Sequence, residues 1–156
     1  LIDSFFAALR DRSGEALAHT ISPRRGLVLR HDWWNPEVVI PPSEAGNLMQ
    51  RIDEVEWGVQ RGYGASVVGS FRDRWLPELD ALLASIPEEA CNQWQAGSTS
   101  STAEWPAEYA RMNYLSYHIP APGSGTRFSW RTWAIGVEYV DGVPFVAILV
   151  RYQGDL

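Results

Sequence analysis

The stretch SWRTWAIGVEYVDGVPFVAILVRY, residues 129–152, decides the fold. Two apolar runs flank Asp141-Gly142. Asp-Gly between such runs is the composition of a tight two-residue hairpin, because both central positions need positive φ. The reading predicts strands over 129–140 and 143–152. On the first strand Arg131, Trp133, Ile135, Val137 and Tyr139 share one face. Trp130, Thr132, Ala134, Gly136, Glu138 and Val140 share the other, since successive side chains alternate. The first row reads as core. The second is smaller and more polar, and reads as a pocket wall or a solvated face.

Working outward, Asn113 to Ile119 reads as a third long strand. At the other end, Ile2, Phe5, Phe6 and Leu9 fall on one face of a helix over 1–12. Ser13-Gly14 ends it, and Glu15 to Thr20 forms a second short helix stopped by Pro23. Gly26 to Asp32 reads as a strand and Val38 to Ile40 as a short extended piece. Pro41-Pro42 opens another short helix reaching Met49. Glu54 to Gln60 alternates as a half-buried strand, Gly62 and Gly64 turn, and Ala65 to Val68 is extended. Ser70 caps a helix over 71–85 that Pro77 should kink or split. Gly97 to Thr102 and Pro120 to Gly125 are loops. Successive strands lack the ~12-residue helices that a parallel doubly wound sheet needs. The expected fold is α+β: a curved antiparallel sheet wrapped around N-terminal helices, in a single domain over 1–156.

Composition narrows the function. The 156 residues are 46% hydrophobic with a net charge of −6. All 13 basic residues are arginines, scattered along the chain, so the basic patch of a nucleic-acid binder is missing. The single Cys91 excludes an internal disulfide and a cysteine metal knuckle. Its acidic neighbours Glu88 and Glu89 disfavour a reactive thiolate. The longest apolar runs are strand-length, far below the ~20 residues that span a bilayer. The chain begins at Leu1, inside an amphipathic pattern, and reads as a mature or excised fragment. A targeting segment or membrane tether would then lie upstream.

No phosphate cradle is present. Gly62-Tyr63-Gly64 lacks the third glycine, and Ser98 to Ser101 lacks a nucleophile elbow. His19, His31 and His118 fall on separate elements, so neither a metal nor a cofactor is expected. His31 and Asp32, as strand neighbours, should face opposite ways. His118 is the candidate general base, with Glu138 as its orienting carboxylate on the neighbouring strand. Tyr117, His118, Trp130, Arg131, Glu138 and Arg151 form the candidate ligand-binding set, with Glu138 and Arg151 able to pair across strands. Four of eight tryptophans, Trp33, Trp34, Trp94 and Trp105, lie in loops or at helix ends, and some are expected at the surface.

The chain resembles an uncharacterised bacterial family of extracytoplasmic, often lipoprotein-anchored domains. The resemblance rests on Ile21-Ser22-Pro23 with Gly26-Leu27, and on Val55-Glu56-Trp57-Gly58. It continues through Ser116-Tyr117-His118-Ile119-Pro120, and through Trp133 to Gly142 followed by Val146 to Val150. The order of elements is similar to the cone fold of nuclear transport factor two, in the cystatin-like group. Pro122-Gly123-Ser124-Gly125 and Val150-Arg151-Tyr152 depart from that pattern. The resemblance implies a cone-shaped fold and an extracytoplasmic setting, and supplies no catalytic residues. The leading expectation is non-catalytic binding of a small molecule, glycan or partner protein in the cone pocket. The alternatives are a small isomerase, dehydratase or hydrolase with His118 as base, and a structural domain that forms a homodimer.

Overall fold

The C-terminal hairpin forms as its Asp-Gly dipeptide requires. In the computed structural model, β7 (Arg131–Val140) and β8 (Val143–Gln153) are joined by Asp141 at φ 51° and Gly142 at φ 81°. The structure describes residues 1–60, 64–97, 104–123, 127 and 129–154. Gly62 of the predicted turn, residues 98–102 of the 97–102 loop and residues 124–125 of the 120–125 loop lie outside them.

The remaining elements follow in chain order. Helix α1 (Ile2–Arg10) buries Phe5, Ala8 and Leu9. Helix α2 (Gly14–Thr20) starts where Ser13 Oγ accepts from the Ala16 amide, an N-cap bond. Strands β1 (Leu27–His31) and β2 (Val38–Ile40) precede a 3₁₀ helix over Pro42–Gln50. Strands β3 (Val55–Val59) and β4 (Ser66–Gly69) form a separate hairpin. Ser70 caps the next helix as expected, its Oγ accepting from the Asp73 amide. Pro77 does split it, because a proline nitrogen is tolerated only in a first turn. The result is α3 (Phe71–Arg74) and α4 (Leu76–Leu83), with Pro77 in the first turn of α4. Strand β5 (Glu88–Cys91) and β6 (Asn113–Ile119) complete the set, with one 3₁₀ turn over Ala107–Tyr109 between them.

The sheet is curved and open, in the order β2-β1-β8-β7-β6-β5. Every neighbouring pair in it is antiparallel except β1 and β8, which run parallel. The expectation of a wholly antiparallel sheet is corrected there. Hairpin logic governs only strands adjacent in sequence, and β1 reaches β8 after most of the chain has intervened. A register shift between Gly136 and Val137 gives β8 one extra residue, Ala147, and such a bulge bends a strand.

Both faces of the sheet are covered. The helices pack on one face, where Phe5, Leu9, Leu17, Leu27, Leu29, Trp133, Ile135 and Leu149 join one core. Trp57, Trp75 and Trp133 extend it, with successive ring centroids 5.3 and 5.7 Å apart. The other face carries a second, smaller core of Val28, Tyr114, Trp130, Ala134, Ile148, Val150 and Tyr152. Half-buried Trp33, Trp94 and Trp105 cover it. The second row of β7 is therefore packed rather than pocket wall as far as Gly136, with Glu138 and Val140 half-buried beyond it, and the loop tryptophans are partly buried rather than displayed. Their large apolar rings gain more by closing this face than by meeting water.

Candidate ligand-binding site

The parallel pairing of β1 with β8 sets His31 opposite Arg151. Arg151 in turn faces Trp133 across the antiparallel pair with β7. This register places a guanidinium on the helix-facing side at one end of the sheet. Arg151 is only 8% exposed. A buried guanidinium needs several acceptors to replace water. Its Nη1 donates to His31 Nε2 at 2.5 Å and its Nη2 to Gln153 Oε1 at 2.9 Å. Nη2 also lies 3.1 Å from Glu78 Oε1, a carboxylate brought in by α4. Glu78 Oε2 lies 3.5 Å from Nη1 of Arg131, so Glu78 bridges two arginines. Burial pulls the Arg151 pKa down, and the Glu78 charge opposes that pull.

His31 is held neutral. Burial, then the Arg151 charge, depress its pKa from 6.5 to about 3. Because Nε2 accepts from Arg151, the ring proton sits on Nδ1. Asp32 Oδ2 lies 3.9 Å from that Nδ1, beyond hydrogen-bond range. The two side chains approach at all because Asp32 takes φ 63°, which breaks the strand alternation expected for them. Among the described residues Nδ1 of His31 and Nε of Arg151 have no hydrogen-bond partner.

A cavity of about 200 Å³ opens on this pair. His31, Arg151, Glu78 and Gln153 form its polar side, and Arg74 and Gln60 add to it. Val67 and Trp75 supply apolar wall. Gln60 and Val67 belong to the β3–β4 hairpin region, which buried Asn35 pins to the sheet. Asn35 Nδ2 donates to the carbonyls of His31 and Val59 at 2.5 and 3.0 Å. Its Oδ1 accepts from the Val59 amide at 2.9 Å. Arg74 is tied to the same hairpin, its Nε donating to the Val68 carbonyl at 2.6 Å.

The candidate set read from the sequence is divided among three places. Arg131 and Arg151 do meet, through Glu78 rather than Glu138. Tyr117 is a core residue, its ring edge-on to Phe6 at 5.2 Å, and burial pushes its phenol up to about 12. His118 and Trp130 lie on the opposite face, in and beside the second core. There His118 Nδ1 donates to Thr132 Oγ1 at 2.8 Å, and Thr132 donates onward to the Gln95 carbonyl at 2.8 Å. Burial lowers the His118 pKa, with the Glu88 charge acting against it.

Glu138 does not orient His118. It accepts from Ser22 Oγ and from Arg25 Nε, the latter at 3.2 Å. His118 pairs with Thr132 on β7, and 132 to 138 is ~20 Å of extended strand at ~3.4 Å per residue. The predicted Glu138–Arg151 pair fails for the same reason of distance along the sheet. Glu138 instead borders an open groove of about 350 Å³ with Arg25, Tyr109 and Arg111.

Glu78, Arg74, Gln60 and Gln153 were not legible as site residues, because only the parallel register and the α4 packing gather them. The lone signal was an arginine, Arg151, in an otherwise apolar strand. Among the described residues no three His, Cys, Asp or Glu side chains converge as metal ligands, and no helix is long and apolar enough to cross a membrane. Comparison with protein families, curated proteins and solved structures finds no match for this chain.

Proposed function

We propose that this chain is a non-catalytic binding domain of the cone-fold type, acting outside the cytoplasm, with its ligand seat in the cavity beside Arg151 and His31. The observation that carries the reading is a buried guanidinium–imidazole pair among the residues that line a cavity, with two ring and guanidinium nitrogens that lack hydrogen-bond partners among the described residues. Buried donors are expensive to leave unpaired, so a preformed set of them favours a ligand that supplies acceptors. The open curved sheet with helices against one face suits the cone type. The extracytoplasmic setting rests on the sequence resemblance alone. The cavity is smaller than the ~300 Å³ at which drug-sized sites begin, which favours a ligand of few heavy atoms.

Two features favour binding over catalysis. The basic nitrogen of His31 is already occupied by Arg151, so it is a poor proton acceptor. His118 has no carboxylate from Glu138 behind it. The test is heteronuclear NMR of the labelled chain against a set of small polar fragments of every charge. Fragments that shift the Arg151 Nε–Hε and His31 ring signals support the reading. A folded protein in which none of them moves those signals ends it.

A further inference from the structure

We propose that the free edge of β5 docks an extended segment of a partner protein, one that carries two adjacent basic residues. This surface is separate from the cavity beside Arg151 and stands whether or not that cavity holds a ligand.

The backbone makes the first part of the case. Strand β5 ends the sheet on its side, so only β6 borders it. The Asn92 amide donates to the Tyr114 carbonyl at 2.9 Å, which marks 92 and 114 as a hydrogen-bonded pair. Such pairs alternate with non-bonded ones along an antiparallel ladder, and Cys91 stands opposite Leu115. Glu88 and Ala90 therefore turn their backbone groups toward β6, while Glu89 and Cys91 turn theirs outward. Both outward residues are exposed, and their N–H and C=O groups bond to nothing among the described residues. A strand laid along this edge satisfies both pairs of groups, since a neighbouring strand bonds at every second residue.

Charge selects the occupant. Glu88 and Glu89 are exposed on opposite faces of the edge, and neither forms an ion pair among the described residues. Burial, and after it the charges of Glu89 and Asp3, push the Tyr117 phenol up, so a third carboxylate lies near this end of the sheet. His118 stands opposite Glu88 on β6, but burial lowers its pKa and leaves it a poor counter-ion at neutral pH. A second copy of β5 would add its own glutamates to this edge, and like charges on paired strands repel. Two adjacent basic residues instead offer one cation to each face, opposite Glu88 and Glu89. Ile86, two residues before the strand, is 98% exposed. An apolar residue beyond the basic pair would cover it.

The experiment titrates the labelled chain with a capped Thr-Val-Lys-Lys-Thr-Val peptide and with its Glu-Glu counterpart. It follows amide hydrogen exchange at Glu89 and Cys91 by NMR. The expected result is that the lysine peptide slows exchange at both amides at least several-fold, and binds about tenfold tighter than the glutamate peptide. The E88Q/E89Q variant changes exposed side chains only, and should remove most of that difference with the fold intact. I86S should weaken the lysine peptide several-fold. Binding that leaves both amides exchanging as before would overturn strand addition. Equal binding of the two peptides would overturn the choice of a basic partner. An unchanged affinity in I86S would overturn the role of Ile86. Absence of any binding by the lysine peptide would overturn the proposal. So would a free chain that sediments as a dimer with both amides already protected, because the edge would then belong to a second copy.

Discussion

Arg151 and His31 stand opposite each other on parallel strands, with the guanidinium Nη1 2.5 Å from the imidazole Nε2. A cation donating into a ring nitrogen requires that nitrogen to be unprotonated. The pair therefore works only while His31 is neutral, and acid attacks it directly.

The pH dependence of folding follows from this. The folded-state pKa of His31 lies near 3, below its ordinary 6.5. Between these values the unfolded chain binds a proton that the folded chain does not, so stability is complete above pH 6.5 and declines as pH falls toward 3. From pH 6.5 to 5 the loss from His31 alone is about 2 kcal/mol, at ~1.4 kcal/mol per unit. Burial of His118 adds a loss of the same sign. Urea unfolding at pH 7.5, 6 and 5 measures the decline. The H31Q variant should flatten it, since the glutamine oxygen can still accept from Arg151 and does not titrate. An unchanged slope in H31Q would mean that His31 is not the buried neutral group.

Asn35 joins the floor of the cavity to its roof. Its amide spans the His31 and Val59 carbonyls and the Val59 amide. N35A leaves those buried groups without their partner, at a cost of about 2–4 kcal/mol. The β3–β4 hairpin should loosen before the main sheet does, because it shares no ladder with that sheet. Hydrogen exchange then shows the Val59 amide losing protection while amides of β7 keep theirs. Equal loss in both would mean that Asn35 supports the whole fold rather than the hairpin.

His118 and Glu138 act independently. One bonds Thr132 over the second core, and the other bonds Ser22 and Arg25 some ~20 Å along the same strand. H118A should cost about 1–3 kcal/mol through the stranded Thr132 network. Together with E138Q the effects should add to within about 0.5 kcal/mol. A coupling beyond that in a urea double-mutant cycle would restore a link between them.

How much was legible depended on the range of the signal. The Asp141-Gly142 turn, the Ser70 cap and the Pro77 break are each written in a few adjacent residues, and each appears where expected. Strand alternation identified Trp133 and Ile135 as core. It failed at Asp32, where a left-handed backbone turns the side chain out of register. It also could not see that the opposite face of β7 is roofed by Trp94 and Trp105, from a segment with no periodicity of its own. The sequence reading assigned no element to the short edge strand β5, whose Glu88 and Glu89 carry no apolar alternation although acidic residues suit an exposed edge. Above all, a parallel pairing between distant strands leaves no local mark, and the Arg151–His31 pair exists only through it.

The tightest backbone approach among the glycines compared in the described residues gives the last prediction. Helix α2 begins against the 3₁₀ helix at Gly14, where a Cβ would lie 1.8 Å from the Gly46 carbonyl oxygen and 2.6 Å from its carbon. Those are backbone atoms, so relief requires the two helices to separate. Nothing lies within 4 Å of a Cβ built on Gly46 itself. The two glycines thus face each other across one contact with opposite demands. G14A should destabilise by about 2–3 kcal/mol, as overpacking between fixed elements does. G46A should be neutral or gain about 0.4–1 kcal/mol by restricting the unfolded chain. Thermal and urea unfolding of the two variants compare them directly. Losses of similar size in both would mean that general helix packing, rather than the Gly14 approach, sets the spacing here.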